Sequence, residues 1–147
     1  MPITVYSPTK DAEAMANAIG DVFGDPYTCA AMDNARYQYA LNFVEGADKL
    51  CVWNFWSNGE AGFWVPDVEG PLKVNCAGNF YSNAGMDAAD FGAALTLMIV
   101  NHAIHAMHSA GLESQMERMI EVQSRLQDLV YHGPLGLDTA EIYSFLD

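Results

Sequence analysis

Between Phe91 and Val100 the chain reads FGAALTLMIV, which puts apolar side chains on every side of a helix. A helix with no polar face must be covered all round, so the rest of the chain has to wrap it. The run is only about half of the ~20 residues a membrane span needs, which predicts the buried central helix of a soluble protein. Asp87 can cap its start, and Asp90 sits in the first turn, where the helix dipole favours an anion. Gly111 stops it, so the expected helix runs from about Ala88 to Ser109. A length of 147 residues, 51% of them apolar, suffices for one such core and predicts a single domain over 1–147.

The elements around it follow from local signals. Ser7-Pro8-Thr9 can open a first helix carrying Met15 and Ile19, and Gly20, Gly24 and Asp25-Pro26 break the pattern. From Asp33 to Gly46 the apolar spacing fits strand and helix equally. Asp33 or Asn34 as a cap and Gly46 as a left-handed end favour the helix. Leu50 to Trp56 is rich in β formers and meets a Ser57-Asn58-Gly59 turn. Gly62 to Val65 returns, and Leu72 to Cys76 makes a third strand. Glu113 to about Tyr131 has one greasy side, and Asp138-Thr139-Ala140-Glu141 resembles a capping box for a short last helix. The expectation is an α+β fold: a small antiparallel meander of about three strands packed with several helices.

Charge narrows the function. Six Lys and Arg face 19 Asp and Glu, a formal net charge of −13. Such a chain has no basic face for phosphate backbones or anionic membranes, so direct nucleic-acid and membrane partners are not expected. A protein partner with a basic face remains open. Cys29, Cys51 and Cys76 form no CxxC pair, which fits three buried small hydrophobes in a reducing compartment. The start, MPITVYSPTK, lacks the apolar stretch of a secretory leader, and the expected location is cytoplasmic.

Few side chains suggest chemistry. His102, His105 and His108 step by three along the central helix and fan over about 120° of it. No carboxylate interleaves, so solvent-facing histidines are expected rather than a metal site. No nucleophile–base pair or phosphate-binding glycine loop can be read out, so no catalytic residue and no cofactor are expected. Trp56 and Trp64 belong either to a strand pair covered on both faces or to an exposed aromatic patch for a partner. Asn79 and Asn83 lie in a polar loop before the central helix, as turn residues or partner contacts. In that loop Phe80 is expected to anchor the chain to the core. Glu113, Glu117 and Glu121 form an acidic row, either a solvated face or an imitation of DNA phosphates.

The segment VWNFWSNGEAGFWVP (52–66) and then VNCAGNFYSNAGMDAADFGAALTL (74–97) resemble the ArdB/KlcA family of antirestriction proteins. The matching residues are Trp53, Phe55, Asn58, Gly59, Gly62, Phe63, Pro66, Asn79, Phe80, Asp87, Ala88, Gly92, Thr96 and Leu97. RLQDLVYHGPLG and the closing AEIYSFLD are similar too, so the likeness spans roughly 33–147. Leu50-Cys51-Val52 replaces the family's usual double glycine, Glu60-Ala61 is extra, and Gly85-Met86 stands for Ser-Ala. The resemblance implies a protein of plasmids or phages that relieves type I restriction–modification while largely sparing modification. It implies a non-enzymatic inhibitor whose partner is a protein of the host defence complex. The runner-up is an inhibitor of a CRISPR effector, or a DNA mimic, acting through the acidic surface.

Overall fold

The computed structural model describes residues 2–147; Met1 lies outside them. In chain order it has β1 (Thr4–Tyr6), α1 (Ala12–Phe23), α2 (Pro26–Phe43), β2 (Trp53–Ser57), β3 (Gly62–Pro66), β4 (Leu72–Cys76), β5 (Tyr81–Met86), α3 (Ala88–Ser109), α4 (Glu113–His132) and α5 (Thr139–Leu146). The fold is α+β. No described helix is long and apolar enough to cross a membrane.

Every residue from Phe91 to Val100 in α3 is buried, as a run apolar on all sides requires. Asp87 caps the helix by accepting from the Ala89 amide at 2.9 Å. β3 lies directly against α3 and is buried at all five of its residues. In β2 burial alternates: Trp53, Phe55 and Ser57 are inside, Asn54 and Trp56 half-covered. The turn between them is set by Asn58, whose Oδ1 accepts from the amides of Glu60 and Ala61.

The strands divide differently from a single meander. β1, β2 and β3 form one antiparallel sheet, while β4 pairs with β5 in a separate hairpin. β5 occupies part of what reads in sequence as a polar loop. Ser82 to Gly85 are poor strand formers. They are held by pairing to β4 and by the burial of Tyr81 and Met86 at the two ends.

Two helix starts also shift. α1 begins at Ala12, beyond Ser7-Pro8-Thr9, after the Ser7 amide donates to Asp11 Oδ2 at 2.8 Å. α2 begins at Pro26 rather than Asp33. Asp25 is its cap, accepting from the Thr28 amide at 2.9 Å, and proline fits the first helical position. Asp33 instead pairs with Arg36 at 2.9 Å, and Gly46, left-handed as expected, opens a 3-10 turn over Ala47–Lys49. Of the three free cysteines only Cys76 is buried; Cys29 is half-buried and Cys51 exposed, where small hydrophobes inside were expected.

Candidate functional site

The 3-10 turn Ala77–Asn79 and β5 meet α5 through a polar network. Asn79 Nδ2 donates to the Phe145 carbonyl at 2.8 Å. Asn83 Nδ2 donates to Glu141 Oε1 at 2.7 Å, while its Oδ1 accepts from the Gly85 amide at 2.8 Å. The Tyr81 hydroxyl donates to the same Glu141 oxygen. Burial, reinforced by that carboxylate, pushes the Tyr81 phenol up to about 12. Asn79 and Asn83 are thus brought together, as structural ties of the turn.

Glu141 was legible only as half of a capping box. Asp138 does cap α5 through the Glu141 amide at 3.2 Å. The reciprocal half is missing, because the Asp138 amide donates to Asp90 Oδ1 at 2.9 Å and the Glu141 side chain serves β5. Desolvation, with the charges of Asp87, Asp138 and Glu141 adding to it, raises the Asp90 carboxyl above its ordinary pKa. A carboxyl with a higher pKa in the folded chain weakens folding at neutral pH, and the penalty disappears below its unfolded pKa. Asp90→Asn keeps the acceptor and removes the charge. Its urea midpoint should rise at pH 7 and converge with that of the parent as pH falls through the raised Asp90 value towards the ordinary aspartate range. A gain that persists below that range would mean charge is not the cause.

Phe80 is not the core anchor that its aromaticity suggests. It is 99% exposed, and its φ of 54° is the one positive value at a described non-glycine residue. A left-handed conformation costs a bulky residue roughly 1–2 kcal/mol. The ties of Asn79 and Asn83 to α5 hold the turn in that shape. Phe80→Gly should therefore raise stability by about 1 kcal/mol, a gain of roughly 3 °C in Tm. A fall in Tm would mean the ring has a packing role.

Beside this turn runs an open groove of about 1030 Å³ between α3, α4 and α5, with Asn79 at its wall. Met98, Asn101, His102, Arg125, Asp128 and Tyr131 are among the residues that line it. His102 Nδ1 shares a 2.7 Å hydrogen bond with the Tyr39 hydroxyl. His105 and His108 face solvent, as their spacing predicts. Among the described residues no three His, Cys, Asp or Glu side chains gather where a metal could sit.

The two tryptophans separate. Trp64 is 1% exposed and stacks on Phe23, with ring centroids 5.2 Å apart. It cannot meet a partner, because the helices close over both faces of β3. Trp56 is half-covered and leans on Phe63. Glu113, Glu117 and Glu121 are all exposed along α4, and of the three only Glu121 forms an ion pair, with Arg125 at 3.9 Å. The groove and the protruding Phe80 escaped the sequence reading. One depends on long-range helix packing and the other on a backbone angle that no residue type announces. No family model matches the chain, and no curated protein matches it.

Proposed function

We propose that this chain is a non-enzymatic inhibitor of a bacterial defence complex, relieving type I restriction–modification on behalf of a mobile element. The observation that carries this reading is Phe80. Most other residues in the resemblance to antirestriction proteins have an evident task inside the fold. Trp53, Phe55, Phe63 and Leu97 fill the core. Asp87 caps α3, Asn58 shapes a turn and Asn79 ties another. Phe80 has none: it stands in solvent on a strained backbone. An exposed aromatic held rigidly at some cost is what a protein-binding anchor requires.

The acidic surface supplies the approach. With −13 on the chain and the row Glu113, Glu117, Glu121 open to solvent, a basic partner face is attracted over roughly 8 Å at physiological salt. That same row supports the second reading, inhibition of a CRISPR effector by imitation of nucleic-acid charge.

Plating of unmodified phage distinguishes them. Expression of the chain should raise plating on a host with type I restriction, and Phe80→Asp should remove the rescue without lowering Tm. No rescue across several type I systems overturns the first reading, and rescue confined to CRISPR-immune hosts supports the second. Changing Glu113, Glu117 and Glu121 together to Lys should weaken rescue severalfold with the fold intact. Full rescue by that variant would reduce the row to a solvated face.

A further inference from the structure

Helix α2 has eighteen residues but only two buried ones, Met32 and Ala40. Its inner side is completed by the half-buried Arg36, Tyr39 and Phe43. The opposite side has no cover. At 100° per residue, Tyr27, Ala31, Asn34, Tyr37 and Leu41 fall within about 60° of one line down the helix. All five are exposed, Tyr27 by 90%, Tyr37 by 49% and Leu41 by 41%. Ala30 and Gln38 fill the remaining positions of the strip. No charged residue interrupts it.

An uncharged strip is unusual on a chain with a net charge of −13. The carboxylates at its margins are neutralised one by one. Asp25, the helix cap, pairs with Arg118 at 3.3 Å, Asp33 pairs with Arg36 at 2.9 Å, and Glu45, just past the end, pairs with Lys73 at 3.2 Å. Three of the six basic residues are therefore set against the carboxylates that flank α2. Two copies of so acidic a chain repel one another, and along this strip no unpaired carboxylate adds to that repulsion.

We propose that the outer face of α2 is a two-fold interface with a second copy of this chain. The strip is self-complementary about Asn34. In an antiparallel pairing centred there, Tyr27 meets the copy's Leu41, Ala30 meets its Gln38, and Ala31 gives room to its Tyr37. Asn34 meets itself, and two carboxamides across a two-fold axis satisfy each other's donor and acceptor. Antiparallel helices also align their dipoles favourably. Two tyrosines per copy, each burying up to roughly 150 Å², supply about half of the ~1,200 Å² at the low end of specific interfaces, and the exposed Ala30, Ala31, Asn34, Gln38 and Leu41 of both copies add to it. Contacts at that low end are those of weak, reversible complexes. The dimer does not depend on the inhibitory role proposed above.

Sedimentation of the full chain tests it. The mass should climb from 16.1 kDa towards twice that value over micromolar concentrations. Salt should strengthen the dimer, because each copy is acidic, whereas binding to a basic partner weakens with salt. Asn34→Asp opposes two carboxylates on the axis and should weaken association at least tenfold with Tm unchanged. Asn34→Cys, in a Cys51→Ser background, should form a disulfide-linked dimer on oxidation, while Tyr27→Cys, displaced from the axis, should not. A mass fixed at 16.1 kDa, a dimer indifferent to Asn34→Asp, or no Asn34→Cys cross-link each overturns the proposal. A monomer whose α2 variants nonetheless lose phage rescue would assign the face to a different protein and overturn it equally.

Discussion

Gly92→Ala is expected to destabilise the protein by about 3 kcal/mol or more, and to do so by adding a single methyl group. α3 crosses β3 so closely that a Cβ at position 92 would run into the Trp64 carbonyl oxygen and stand 3.0 Å from Val65 Cα. Both obstacles are backbone, so no rotamer change relieves them. The contact is reinforced one turn on, where Thr96 Oγ1 donates to the Gly92 carbonyl at 2.8 Å and accepts from the Trp64 amide at 3.3 Å. The helix would have to lift off the sheet along its most buried stretch. Gly20→Ala is the counterpart: it lies inside α1 with nothing within 4 Å of a new Cβ. There alanine should stabilise by roughly 0.5–1 kcal/mol through helix propensity alone. Urea unfolding of the pair measures both. Equal midpoints for Gly92→Ala and the parent would mean that the helix and strand do not approach this closely.

Close approach also explains why much of the fold can be read from the sequence and much of the site cannot. The stretch Phe91–Val100 has one possible environment, and the structure places all ten residues inside. The Trp53–Pro66 hairpin was legible because alternating aromatics and Ser57-Asn58-Gly59 act locally. Gly62 belongs to the same logic, since a Cβ there would press within 2.6 Å of the Phe55 ring. The third strand was legible as a strand, but its partner was not. β4 pairs with Tyr81–Met86, whose middle residues favour turns, and Tyr81 and Asn83 of that strand bond to Glu141 of α5, far along the chain.

The same divide runs through the candidate residues. Exposure of the acidic row on α4 follows from helical spacing, so Glu113, Glu117 and Glu121 sit where the sequence put them. Trp64 takes the covered one of the two places left open for it, and Phe80 lacks the core role that its chemistry suggested. Large aromatics are read as buried or as binding residues by type alone, and type does not reveal which strand face is covered twice. Nor does it reveal a left-handed φ. The motifs resembling antirestriction proteins are mostly packing devices. They speak for a scaffold, and the exposed Phe80 is what that scaffold leaves over.

Phe145→Ala should cost about 3–5 kcal/mol, a large fraction of the stability of an ordinary domain. The ring is fully buried. It makes edge-on contacts with Phe43, Tyr81 and Phe91 at centroid distances of 5.6, 5.6 and 6.0 Å. Those three rings come from α2, β5 and α3, so one side chain clamps α5 onto three elements. Its removal leaves a cavity that no single neighbour can fill. The consequence reaches the surface, because the Phe145 carbonyl holds Asn79 and α5 presents Glu141 to Tyr81 and Asn83. Loosening α5 therefore releases the turn that carries Phe80. Phe145→Leu, which keeps most of the volume, should cost only about 1–1.5 kcal/mol. Under the inhibitory role proposed above, phage rescue by Phe145→Ala should fall together with its melting temperature and return on cooling. Phe80→Asp should lose rescue at every temperature with melting unchanged. If Phe145→Ala melts like the parent, α5 is not clamped by this ring. If it melts early yet rescues fully when half unfolded, a fixed Phe80 turn is not what the proposed partner binds.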